Sequence, residues 1–269
     1  MMQLLSSLDE ADWIEKGLSP ANPWVADGTW KGSPVSRFVP PIFSAYAKLF
    51  HPIYEDLSVF DRQISWDRLE SAEPGDLSPM LEIVAKHSTL VYGGPETSAP
   101  LHPISWRELA ERYGLHYTPT LNVSSFSRRF PGGSWPRYLV GPREGHLEDR
   151  TRDALADILA TEDNSAECFF YFGTLATTNW EGSLLYRGSL LNIAAFSAMT
   201  DQVNSTPTYW FPPDHAWLVS SDYDSSFTLI GGSESLIDRL IGSDVLECVR
   251  VAPDMRMDSG GDTPNMREN

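Results

Sequence analysis

Asp214, Asp222 and Asp224, in the stretch DHAWLVSSDYD, are the residues whose type and spacing suit metal chemistry. Carboxylate oxygens are the ligands that Mg²⁺ and Ca²⁺ prefer, and two aspartates two positions apart in extended chain point the same way. Converging with Asp214, they would make a metal-dependent enzyme or a small-ligand binder. No EF-hand loop, HExxH helix or Cys/His cluster accompanies them. A solvated turn, in which each aspartate bonds its own downstream backbone, is the commoner use of DYDSS, and no cofactor is expected.

A second constellation is basic. Between Thr118 and Arg143 the chain carries Arg128, Arg129, Arg137 and Arg143 and no acidic residue, with Phe126, Phe130, Trp135 and Tyr138 interleaved. Arginine forks a carboxylate while its stem packs on a ring. Arg128, Arg129, Trp135, Arg137 and Tyr138 are therefore candidate contacts for an anion or a partner; the competing use is pairing with the acidic body of the same chain. With Pro131, Gly132, Gly133 and Pro136, residues 118–145 read as a long loop. Trp180 and Trp210 join the candidates, because with Trp217, Tyr171 and Tyr209 they can line a pocket. Rings of this kind more commonly fill a core or its rim.

Gly231-Gly232-Ser233 precedes a helix, and helix N-termini attract anions. The lysine of a phosphate loop is missing, however, and Glu234 at the first helical position already satisfies the positive end and repels phosphate. Ser233 reads as the N-cap, Leu236, Ile237, Leu240 and Ile241 as the inward stripe, and Gly242 as the stop. No two of the six histidines stand four apart, and no GxSxG elbow occurs. Cys168 and Cys248 lack a CxxC partner and read as buried reduced thiols.

The elements that must position these groups follow from periodicity. Residues 1–34 form an irregular lead with a short helix near 8–16. VSRFV (35–39) reads as a strand, and IFSAYAKLFH, opened by Pro41 and ended before His51-Pro52, as a buried helix whose apolar residues wrap most of the circumference. ISWDRL (64–69) and ISWREL (104–109) each offer a serine cap, and Ser105 with Glu108 makes a capping box. LEDRTRDALADILA (147–160) is an amphipathic helix. CFFYFGTL (168–175), SLLYRGSL (183–190), HAWLVSSDY, SFTLIGG and VLECVRV (245–251) read as strands, with DYDSS turning a hairpin. Trp217 and Val219 share one face of that hairpin and Leu218 the other. Short connections between strands predict an α+β fold: a single domain over 1–251, with a mixed, largely antiparallel sheet and helices packed on one side. Residues 252–269 are too poor in apolar side chains to order themselves and read as a flexible tail.

The formal charge is −17. A surface so negative repels nucleic acid and anionic membrane and steers in a basic protein. MMQLLSSLDEADW lacks the basic start of a secretory signal. The longest apolar run, LLNIAAFSAM (190–199), is about half the roughly 20 residues a bilayer needs, so a cytoplasmic setting is expected.

FVPPIFSAYAKLFHP, YWFPPDHAWLVSSDYDSSFTLIGGSESLIDRLI and LECVRV together resemble a widespread family of uncharacterised bacterial proteins. That family opens on VP-x-x-F-x-AYA-x-x-x-HP and closes on WWP-x-DRAW-x-V-(A/S)-(T/S)-(D/E)-x-D-x-x-x-TYVGGS. The chain departs at His215, where the family has arginine, and at Phe227-Thr228-Leu229. The resemblance covers about a quarter of the chain and implies a single domain in a bacterial cytosol. The order of elements is also similar to that of SUKH-type immunity proteins of bacterial toxin systems, which by analogy of fold implies a protein that neutralises a partner.

Overall fold

The computed structural model describes residues 2–19, 32–60, 62, 101–127, 129–130, 133, 135–162 and 167–266. In chain order the strands are β1 (Gln3–Leu4), β2 (Ala45–Phe50), β3 (Ile53–Asp56), β4 (Leu101–Ile104), β5 (Leu139–Val140) and β6 (Glu167–Phe172). There follow β7 (Leu184–Ser189), β8 (Tyr209–Phe211), β9 (Leu218–Ser220), β10 (Phe227–Gly232) and β11 (Cys248–Val251). The helices are α1 (Asp12–Gly17), α2 (Trp106–Arg112), α3 (Val123–Ser127), α4 (Asp149–Leu159), α5 (Glu234–Ile241) and α6 (Thr263–Met266). The fold class is α+β, and every strand pairing among the described residues is antiparallel. Where the sequence reading draws one unit over 1–251, the backbone groups into two: residues 1–51 with 144–261, and residues 52–143 with 262–269.

The first unit is built on an eight-stranded sheet in the order β1-β7-β6-β8-β9-β10-β2-β11. Successive residues alternate between its two faces. Ala45, Ala47 and Leu49 of β2 join Phe170, Trp210, Val219 and Ile230 in one cluster with Leu155 and Leu159 of α4 and Leu236, Ile237 and Leu240 of α5. Tyr46 joins Phe169, Phe211, Leu218 and Leu229 on the other face, under Ala11 and Ile14 near and within α1 and under Val35 and Val39. The two longest helices thus share one face, as the pattern predicts, while the N-terminal lead covers the other. The expected faces of the β9 hairpin hold: Trp217 and Val219 lie in the first cluster and Leu218 in the second.

The principal corrections come early in the chain. The segment expected as a buried helix after Pro41 is strand β2, paired to β10 on one edge and β11 on the other. A strand buried on both faces is apolar at nearly every position, which mimics a helix apolar all round. Lys48 is buried on that strand at 1% exposure, with its Nζ 4.5 Å and 4.8 Å from the ring centres of Phe50 and Phe227. VSRFV is not a strand; Val35–Arg37 form a single 3₁₀ turn. Gly231, near the end of β10, has no room for a side chain, because Val39 and the ring of Phe43 occupy the space a Cβ would need.

The caps follow the expected chemistry. Ser233 Oγ accepts from the Leu236 N–H at 3.1 Å and Ser105 Oγ from the Glu108 N–H at 3.0 Å. Replacing either serine by alanine is expected to lower stability by about 1 kcal/mol in urea unfolding, with the slope unchanged. A loss below about 0.3 kcal/mol would show that the cap contributes nothing in that helix. Cys168 and Cys248 are buried free thiols, and burial pushes the Cys248 thiol up to about 12. ISWDRL lies outside the described residues.

The second unit has a three-stranded sheet, β4-β3-β5, with α2 and α3. Its core is aromatic: Phe126 lies 5.9 Å from Trp106 and stacks on Phe130 at 5.9 Å, and Phe130 meets Trp135 edge-on at 4.9 Å. The expected flexible tail is, through residue 266, built into the structure. In the first unit Met257 is buried and its N–H donates to the Ser33 carbonyl. In the second, buried Asp262 accepts from Thr118 and Thr120, and Asn265 makes reciprocal bonds with the His116 backbone. Polar side chains here replace the apolar contacts whose scarcity suggested disorder.

Candidate functional site

The metal set does not assemble. No group of three or more His, Cys, Asp or Glu side chains that could hold a metal ion occurs among the described residues. Asp214 is spent on a local turn, its Oδ1 accepting from the Ala216 N–H at 3.0 Å. Asp222 and Asp224 do come together in the β9–β10 turn, where Asp222 Oδ1 accepts from the Asp224 N–H at 3.4 Å. Burial, then the hydrogen bond and charge of Asp224, push the Asp222 carboxyl up to about 7, opposed by Arg37. Glu144 is also raised, by burial and by Asp224.

The basic loop is also used structurally. Tyr138 is buried, its hydroxyl 2.7 Å from that of Tyr113 and its ring beneath the Arg62 guanidinium at 4.1 Å. The Trp135 Nε1–H donates to the Leu139 carbonyl at 2.8 Å. Arg129 and Arg137 are half-buried, and Arg128 lies outside the described residues. Of the interleaved rings that suggested a binding surface, Phe126, Phe130 and Tyr138 are buried in the second unit, and Trp135 packs half-buried against Phe130. Trp180 and Trp210 belong instead to the first unit. Trp210 is wholly buried, its Nε1–H donating to the Pro207 carbonyl, whereas Trp180 is 67% exposed on a left-handed backbone with φ of 55°.

Of the aromatics singled out in the sequence, Tyr171 and Tyr209 line a recess together. They are register partners on β6 and β8, with ring centres 5.8 Å apart and planes inclined at 33°. α1 crosses above them. Trp13 holds it down, lying flat on His215 at 4.2 Å and edge-on to Phe211 at 5.6 Å; His215 reaches that position through a φ of 57°. The space between is about 340 Å³, with Ile14 and Leu18 as apolar wall and Asp12 and Glu15, three residues apart on α1, carrying its charge. The Tyr209 phenol is pushed well above its usual range by burial first, then by Asp222, Tyr171 and Glu15, so it stays neutral. Asp12 and Glu15 escaped the sequence reading. The signal was there in Asp-x-x-Glu on a six-residue helix, but short exposed carboxylates are too common for spacing alone to mark them.

No helix among the described residues is long and apolar enough to cross a membrane. Comparison with protein-family models, with curated proteins and with solved structures gives no match.

Proposed function

We propose that this chain is a non-catalytic, protein-binding protein, immunity-like in that it neutralises a basic partner. The supporting observation is the partition of charge. The first unit carries 24 Asp and Glu against 10 Lys and Arg, a net of −14; the second carries 13 against 10, a net of −3. Most of the chain's net charge therefore lies on the unit with the large sheet. A one-sign surface raises the local concentration and on-rate of an oppositely charged protein, and the effect weakens with salt. The likeness of the element order expected from the sequence to that of SUKH-type immunity proteins points the same way.

The test is capture from a lysate of the source cells on the immobilised full chain, at low and at moderate salt, with the captured proteins identified by mass. The expected result is enrichment of a protein of positive net charge, with recovery falling as salt rises. Recovery of no basic protein at either salt would overturn the proposal.

A further inference from the structure

We infer that the recess between α1 and the sheet of the first unit seats an arginine side chain of the basic partner. This rests on the protein-binding reading above and adds the place and the chemistry of contact. At about 340 Å³ the recess is near the lower end of ligand pockets, which run from about 300 to 1,000 Å³, and suits one long side chain. Its walls match the two halves of an arginine: Ile14 and Leu18 offer apolar surface to the methylene stem, and Tyr171 and Tyr209 offer ring surface to the planar cation. Both phenol oxygens are already engaged. Tyr171 donates to Ser183 Oγ at 3.0 Å, and Ser220 bonds the Tyr209 oxygen, so each hydroxyl already has a partner within the chain.

Asp12 and Glu15 then supply acceptors for a guanidinium fork. Asp12 is bridged to Lys16 at 3.1 Å, an exposed i,i+4 pair of the kind that an incoming cation displaces easily. Asp12 and Glu15 are the charged residues of the lining, and both are acidic. An anion is repelled there. A lysine would find the charge but not the fork or the ring stacking that a guanidinium exploits.

The test uses a fluorescein-labelled hexa-arginine peptide titrated with the full chain and read by anisotropy at low and moderate salt. Glu15→Gln is expected to weaken binding about tenfold, the loss of one charge-assisted hydrogen bond. Asp244→Asn, which removes the same charge beyond α5 on the opposite side of the sheet, is expected to weaken it less than about twofold. Tyr171→Leu is expected to reduce the preference for hexa-arginine over hexalysine, because it removes a ring. Equal weakening by Glu15→Gln and Asp244→Asn would overturn the inference while leaving the protein-binding reading intact, since the field alone would then hold the peptide. Arginine ethyl ester binding as tightly as the peptide would also overturn it, assigning the recess to a small cation. If the unmodified chain does not bind hexa-arginine even at low salt, the inference fails, whereas the protein-binding reading stands or falls on the lysate capture.

Discussion

Trp210→Ala is expected to destabilise the first unit by about 3–5 kcal/mol, the range for removing a large aromatic from a packed core. The indole is fully buried on β8, which pairs with β6 on one side and β9 on the other, in the same cluster as Phe170, Val219 and Ile230. Those neighbours belong to sheet strands that cannot close over the vacated volume without breaking their ladders. Trp210→Phe keeps a ring in place but leaves the Pro207 carbonyl without the indole N–H, and a loss of about 1–2 kcal/mol is expected. Urea unfolding of both variants measures the difference. A Trp210→Ala protein as stable as the unmodified chain, yet weaker in binding hexa-arginine, would restore Trp210 to the role of a contact residue.

Acidification from pH 8 to pH 5 is expected to stabilise the first unit, through Asp222. Its carboxyl is raised to about 7 in the folded chain, against an ordinary value near 4 when unfolded. Between those values the folded state holds a proton that the unfolded state releases. The contribution is therefore fully present below about pH 4 and is lost as pH rises through about 7. Its size is at most about 4 kcal/mol, since every tenfold gain in proton affinity on folding is worth about 1.4 kcal/mol. Glu144, raised in the same direction, adds to the slope. Asp222→Asn imitates the protonated carboxyl and keeps an oxygen for the Asp224 N–H. Its melting temperature is expected to lie above that of the unmodified chain at pH 8 and to change less down to pH 5. A variant with the unmodified chain's full pH slope would show that burial of Asp222 is not its source.

Local signals were legible where one short-range rule decides. Ser105 and Ser233 cap their helices because a hydroxyl three residues ahead of an N–H reaches it in any fold. The hairpin through DYDSS and the inward faces of α4 and α5 were legible because strand and helix periods separate cleanly when one side meets solvent. That condition fails for β2. Ala45–Phe50 are buried on both faces, so the contrast that distinguishes a period of 2 from one of 3.6 is absent from the residues themselves.

By itself the sequence determined the α+β class, the caps and the acidic charge, since charge is a sum over residues and caps depend on three or four neighbours. Tertiary structure decided the rest. Strand order put Tyr171 beside Tyr209, and Trp13 on His215 brought Asp12 and Glu15 above them, across almost two hundred residues of chain. Packing likewise buried Tyr138 in the second unit and raised the Asp222 carboxyl in the first. Proximity and burial are properties of the packed chain, and no spacing between residues encodes them.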